Sequence, residues 1–274
     1  MKRSFLWAMF LGPVLFMISS CAKDEDGTAN DFVTSSEDIT TQQDILDANE
    51  TEIGDQLEAG LLDLTTRSFP VRTWLNPKGT YPNTLTIDYG PDGVTGPHGH
   101  VRKGKLIIDM TAPWYEAASV RTVTHENFYI DDVLVEGTVT VVNQGPNPSS
   151  QMVWERVVSD RKLTFPSGKT ITWDANQNIT QLEGGQTPQL RSDDVWSISG
   201  TSDGINRAGK DFSGATTEAL VFRFNCPWIV SGAFSLTVDG VTISIDYGDG
   251  LCNNAAILTL PDGSTKEIRI RRWW

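Results

Sequence analysis

The strongest constraint on the fold is a succession of short β-rich runs that begins after Phe69 and is punctuated to the end by turn residues, the pattern of an antiparallel all-β body. Its sharpest instance is Phe234-Ser-Leu-Thr-Val238, Asp239-Gly240, Val241-Thr-Ile-Ser-Ile245. Asp-Gly suits a two-residue turn in which both central residues need positive φ. Partner numbers then sum to 479, so Val238 faces Val241, Leu236 faces Ile243 and Phe234 faces Ile245, three apolar pairs on one face. A second hairpin turns at Asp131-Asp132, with Ile130 opposite Val133 and Phe128 opposite Val135, and a third at Pro166-Ser167-Gly168 between Leu163-Thr-Phe165 and Ile171-Thr-Trp173. Gly137, Gly200 and Gly232, each two positions after a β-branched residue in a strand-like run, predict bulges that let a long sheet curl. The expected fold is all-β: an antiparallel, hairpin-rich curved sheet or sandwich with a short N-terminal helical segment.

Two internal echoes accompany this pattern. Thr86-Ile-Asp-Tyr-Gly90 with Asp92-Gly93 resembles Ser244-Ile-Asp-Tyr-Gly248 with Asp249-Gly250, and Leu163-Thr-Phe-Pro-Ser-Gly168 resembles Leu258-Thr-Leu-Pro-Asp-Gly263. The offsets differ, so the chain is not a regular solenoid. Either a hairpin unit was duplicated, giving related halves over residues 68–145 and 146–274, or the chain converges on one hairpin chemistry.

The first twenty residues have another character. Lys2 and Arg3 precede an apolar run from Phe5 to Ile18, interrupted by Gly12-Pro13 and ending in Ile18-Ser19-Ser20-Cys21. The run is too short to span a bilayer, which takes about 20 helical residues, and has the build of a cleaved leader. Ile18, Ser19, Ser20 and Cys21 resemble the bacterial lipobox, which implies a signal peptide over 1–20, lipidation at Cys21 and a membrane as the chain's first partner. Lys23-Asp24-Glu25-Asp26 looks like the tract that follows the lipidated cysteine in surface-exported lipoproteins of the Bacteroidota; the alternative is a solvated acidic spacer. Residues 21–41 are mostly Asp, Glu, Ser, Thr and Asn and read as a disordered tether, because Phe32, Val33 and Ile39 offer too little apolar surface to offset the entropy of ordering. From 42 to 66, Ile45, Leu46, Ile53, Leu57, Leu61, Leu62 and Leu64 recur at loosely helical spacing, and Gly54 and Gly60 predict a broken amphipathic helix before a β-rich body over 67–274.

Charge follows the same division. Residues 22–66 hold thirteen Asp or Glu against Lys23 alone, whereas residues 67–274 are close to balance within the chain's net charge of -13. A nucleic-acid binder would carry a basic stripe, so no nucleic-acid partner is expected. Of the three cysteines, Cys21 goes to lipid, leaving Cys226 and Cys252, most simply a disulfide in an oxidising compartment. Two buried thiols or half a metal site are the rival readings. Extending the hairpin register outward sets Cys252 against Pro227, so the bridge needs one extra residue on the first strand; a bulge at Gly232 would reset the sum to 478 and bring Cys226 opposite Cys252.

Candidate chemistry is sparse. His98, His100 and His125 could supply three imidazoles to zinc, but no ligand-spacing motif accompanies them. Asp246, Asp249, Asn253 and Asn254, with Asp88 and Asp92 in the echo, are oxygen donors of the kind calcium takes, and equally what tight turns require. Neither a metal nor a cofactor is expected. Asp131-Asp132 and Asp193-Asp194 are paired only in sequence, and no nucleophile or phosphate-loop motif is present, so an enzyme is not expected. Eight tryptophans follow the leader, at 74, 114, 154, 173, 196, 228, 273 and 274; Trp173 and Trp196 read as core, and Trp114 as the one for an exposed glycan-stacking position.

With Arg223 to Cys226, Asp246 to Asn254 and Ile268-Arg-Ile270, and with Arg102-Lys-Gly-Lys105 and Glu136-Gly-Thr138 beside the first echo, the body is similar to a group of uncharacterised Bacteroidota envelope lipoproteins over most of residues 70–274. That resemblance implies an outer-membrane lipoprotein and supplies no activity. The expected function is a binding or structural module at the cell surface, with a glycan or an envelope protein as partner. A carrier cradling an apolar ligand in a curled sheet is the main alternative, and a glycan-processing enzyme the weaker one.

Overall fold

A computed structural model describes residues 25–59, 69–96, 99–187, 191–226 and 228–270. Cys21, Lys23, Asp24, His98, Trp273 and Trp274 lie outside the described residues, as does the whole leader. One helix, α1 (Glu25–Ala59), precedes fourteen strands. These are β1 (Val71–Trp74), β2 (Asn83–Asp88), β3 (Val94–Thr95), β4 (Val101–Met110), β5 (Val120–Ile130), β6 (Val133–Pro146) and β7 (Met152–Thr164). They continue as β8 (Thr170–Glu183), β9 (Val195–Ile205), β10 (Asp211–Arg223), β11 (Ile229–Val238), β12 (Val241–Asp249), β13 (Ala255–Thr259) and β14 (Thr265–Arg269).

All belong to one antiparallel sheet in which chain neighbours are sheet neighbours, with the two-residue β3 beside β4. The sheet is open, β1 and β14 being its edges, and it runs unbroken through the expected junction between halves, where β6 pairs β7 from Leu134 to Pro146. Strict alternation of buried and half-buried residues in β2 and β11 shows that one face is covered. What covers it is α1. Ile45, Leu46 and Ile53 join the core formed by Leu85, Ile108, Val123, Leu163, Phe234 and Ile245. Tyr89 beside one edge and Tyr247 near the other both reach this helix, so the sheet curls around it.

The hairpins follow the sequence closely. Val238 pairs Val241, Leu236 pairs Ile243 and Phe234 pairs Ile245, with Asp239 and Gly240 both at positive φ. Ile130 pairs Val133, but Phe128 is not set opposite Val135: the ladder shifts after Tyr129–Leu134, because Asn127 at φ +45 bulges against Gly104, where an added Cβ would lie 1.9 Å from the Asn127 carbonyl oxygen. The second echo is one shared turn. The N–H of Phe165 donates to Lys169 and that of Gly168 to Phe165; the same two bonds recur at Leu260–Ser264, Asn206–Lys210 and Asn147–Gln151. The first echo is an Asp-x-Gly bend, at the end of β2 in one copy and inside β12 in the other: Asp88 accepts from the Gly90 N–H at 2.8 Å and Asp246 from the Gly248 N–H at 2.8 Å, and each motif turns its tyrosine into the core.

Cys226 and Cys252 form a disulfide, with Cα atoms 5.7 Å apart, by a route other than the expected one. The ladder does shift at Gly232, but in the opposite sense: Ser231 pairs Asp249, so partner numbers rise to 480, and the extra residue belongs to β12, at Tyr247-Gly248. Gly232 is pressed against β10, where a Cβ would come 2.3 Å from the Ala219 carbonyl oxygen, while Gly248 at φ +94 takes up the bulge. The cysteines therefore meet beyond the ends of β11 and β12, Cys226 in a turn closed by its N–H to Arg223.

The larger correction concerns residues 21–41 and 42–66. The helix starts at Glu25 and passes Gly54 without a break to Ala59, so most of the expected tether is helical. Every described side chain from Ser35 to Leu57 is buried or half-buried, although the segment is mostly polar. Such a helix has only a narrow apolar stripe, Ile39, Leu46, Ile53 and Leu57, in place of the wide apolar face that normally holds a helix to a core. Beyond the core contacts of Ile45, Leu46 and Ile53, its partners are polar groups of the sheet.

Candidate functional site: the concave face beneath the helix

The helix carries eleven carboxylates and no basic residue, and it crosses the sheet from the β9–β10 turn to β1. About a third of the way along it, Asn206 donates to the Ser35 hydroxyl at 3.0 Å, and the Arg207 N–H donates to Asp38 at 2.8 Å beside an Arg207–Asp38 ion pair. Further along, Gln177 of β8 donates to Gln43 at 3.2 Å, and Arg156 of β7 lies 3.5 Å from Asp47. Arg121 of β5 pairs with Glu50. Arg102 of β4 lies 3.2 Å from Glu52, both side chains 1% exposed, and Glu52 also accepts from the Tyr89 hydroxyl at 2.9 Å and from Gln56 at 2.7 Å. At the far end Arg72 donates to Gln56, and Lys78 to the Leu57 carbonyl at 2.8 Å. Strand alternation explains how cations reach this face: Arg121 shares it with Val123, and Arg156 with Trp154 and Val158.

Burial shapes the protonation of these groups. It holds Asp47 and Asp38 above the usual carboxylate range against the pull of Arg156 and Arg207. Burial, then the Glu52 charge, raises the Tyr89 phenol, and burial pushes Tyr247 up to about 12. Arg161 is lowered to about 9 by burial and by the neighbouring Arg156 charge. His125 is held well below its usual value by burial and then by Arg161, whose Nη1 lies 3.0 Å from its Nε2. With Nδ1 2.9 Å from the Gly137 carbonyl oxygen, the neutral ring donates from Nδ1 and accepts at Nε2.

The sequence-predicted sites are dispersed. His100 is buried against Asp131 at 2.7 Å, His125 sits under Arg161, and no group of three metal-ligating side chains occurs among the described residues. Asp131 also caps the Val101 N–H and Asp132 pairs with Lys103, while Asp193 accepts from Thr187 and Asp194 from Gln181, so neither sequence pair works as a unit. Asn253 caps Ala255 and Asn254 accepts from Arg269, the turn roles that compete with calcium. Trp173 is core and Trp196 packs against it. Trp114 is partly exposed, yet its ring stacks on Trp154 at 5.3 Å and receives the Arg121 guanidinium at 4.3 Å, so this expected sugar platform is already engaged.

The buried arginines went unread in the sequence, although their positions in apolar alternations and the acidity of residues 22–66 are both visible there. The chain matches no family model, no curated protein and no solved structure, and what it does must be read from its own residues.

Proposed function

We propose that the chain is a lipoprotein held to the outer membrane through Cys21, displayed at the cell surface by its acidic tract, and acting there as a non-enzymatic binding module whose ligand surface is the concave face now filled by α1. The lipobox and the similarity to Bacteroidota envelope lipoproteins support the location. The observation that carries the binding reading is the row Arg102, Arg121, Arg156 and Arg207, three cations of strands and one of the β9–β10 turn, each met by a carboxylate of one helix. Buried ion pairs are an inefficient way to hold a helix, because apolar residues of the same volume do as well or better. A cationic row under an acidic strap is instead the chemistry of a surface that recognises anionic matter and is covered by a segment of like chemistry. An apolar carrier finds less support, since among the described residues α1 fills the concavity and the gap beside it is about 40 Å³.

Two measurements test this reading. On intact cells, added protease should cleave the parent, and Cys21→Ala should leave the membrane fraction altogether; a parent resistant on intact cells and cleaved only after lysis contradicts surface display. For binding, Asp47→Asn with Glu50→Gln frees two arginines and loosens α1. This variant should bind a heparin octasaccharide at least tenfold more tightly than the parent and maltooctaose no better. Equal heparin affinity for parent and variant would show that the concave face is not the ligand surface.

A further inference from the structure

The middle of the interface between α1 and the sheet holds more buried cationic donors than carboxylates to meet them. Arg121, Arg156 and Arg161 stand against Asp47 and Glu50. Glu50 is taken by Arg121, and Asp47 reaches Arg156 only at 3.5 Å. Arg161 has no carboxylate among the described residues; its nearest polar neighbour is the His125 ring, and its guanidinium lies 6.0 Å from the Trp173 ring centroid. The Nε and Nη2 atoms of Arg161 and the Nη2 of Arg156 are buried with no hydrogen-bond partner among the described residues, in side chains that are 0% and 1% exposed. A buried guanidinium N–H left without an acceptor is among the more costly defects a core can hold. His125 offers one lone pair, at Nε2, and Arg161 Nη1 already uses it. Arg156 Nε donates to Gln177 at 2.7 Å, so of this pair it is the outer guanidinium nitrogens that lack an acceptor.

We propose that Arg156 and Arg161 form an internal site for one small monovalent anion, a halide or a one-carbon carboxylate, bound beneath α1. The local excess of one positive charge sets the valence, and the full burial of both guanidiniums keeps the occupant small. A doubly charged, bulkier oxyanion would meet neither condition. By giving both guanidiniums an acceptor on the sheet side, the anion holds Arg156 in place to receive Asp47, so occupancy and docking of the helix are linked and each favours the other.

The test is unfolding of the purified chain in gluconate buffer at constant ionic strength, with bromide, chloride or formate titrated in and sulfate as the control. A bound anion lowers the unfolding equilibrium constant by the factor one plus the ratio of its concentration to Kd, tenfold at about nine times Kd. A saturable response to halide, to formate or to both, absent with sulfate, supports the site, and comparison of the two arms tells which chemistry fills it. Arg161→Gln should abolish the saturable phase. Should that variant not fold, bromide-soaked crystals of the parent decide the matter: an anomalous peak between Arg156 and Arg161 supports the site, and water alone at that position overturns it. A response that is linear in every salt and never saturates also overturns it.

Discussion

The sheet and the helix hold their places by different physics. Each ladder of the sheet is fixed within about twenty residues, by a turn whose backbone demands particular residues and by alternation that sends aliphatic side chains to one face. The helix has no such local logic. Its fixed points are Arg207 for Asp38, Arg156 for Asp47 and Arg121 for Glu50, partners 169, 109 and 71 residues away. A segment can therefore be mostly polar, with a few aliphatic contacts to the core, and still lie at the centre of the molecule, provided that the surface around it is polar at matching points. Its stability is then electrostatic and sensitive to single atoms, whereas that of the sheet is apolar and spread over many.

The largest effect should come from breaking one of those points. Arg102→Met leaves the Glu52 carboxylate buried at 1% exposure without its cation, a change that costs about 3–5 kcal/mol. Adding Glu52→Gln removes the stranded charge and keeps an acceptor for Tyr89 and Gln56, so the double variant should recover most of the loss in chemical denaturation. A single-variant cost below about 1 kcal/mol, the range of exposed pairs, would show that the helix is held by its few aliphatic contacts after all.

The disulfide probes the sheet side at similar magnitude. Cys226→Ser with Cys252→Ser removes a bridge that closes a separation of 26 residues, and should cost about 3–4 kcal/mol in the chain-entropy model. Because the bridge lies beyond the ends of β11 and β12, the loss should leave hydrogen exchange along α1 unchanged relative to the rest of the core. Selective opening of α1 in that variant would mean that the two regions are not separate.

Much of this was legible in the sequence, and the boundary of what was legible is itself physical. The Asp239-Gly240 register holds pair by pair through Phe234–Ile245 because turn and alternation agree. It goes wrong at Gly232, where the deciding contact is with Ala219 of a different hairpin. Residues 25–41 read as a tether because their apolar content cannot offset the entropy of ordering, an argument that counts only apolar gains. Arg121-Thr-Val123-Thr-His125 and Trp154-Glu-Arg156-Val-Val158 place cations on the core face in plain alternation. The usual expectation that arginine seeks water conceals them, unless the acidity of residues 22–66 is read as their complement.

A smaller effect follows from His125, and it separates the two regions by pH. The ring is neutral in the fold, held below its usual value of 6.5 by burial and by Arg161. In the unfolded chain it takes up a proton below about 6.5, so the unfolded state binds more protons and stability falls as pH drops through that value, by at most about 1.4 kcal/mol per pH unit. Asp38 and Asp47 act in the opposite sense: their raised values favour the fold at low pH, a contribution lost as pH rises through them. The difference between parent and His125→Gln isolates the histidine. Parent minus variant should decline steadily from pH 7 toward pH 5, and a flat difference would place the ring in contact with water.

The smallest effects test whether the turns are as local as their shared hydrogen bonds suggest. Gly168, Gly209 and Gly263 occupy the same position of the same turn, at φ +79, +75 and +82, and a Cβ at any of them would meet nothing within 4 Å. Alanine there pays only the left-handed backbone cost, about 1–2 kcal/mol, less a few tenths regained from a stiffer unfolded chain. Each Gly→Ala variant should thus lose about 1 kcal/mol, and the three should agree within about 0.5 kcal/mol. Ser150 holds the equivalent position in the β6–β7 turn at φ +62, so Ser150→Gly should gain slightly by the same reasoning. Gly209 is the informative member, because its turn also carries Arg207, which grips Asp38 of the helix. If Gly209→Ala costs distinctly more than its two counterparts, that turn is where the local logic of the sheet meets the long-range logic of the helix; if it matches them, strain at Gly209 stays within the turn and does not reach the Arg207 N–H and guanidinium that hold Asp38.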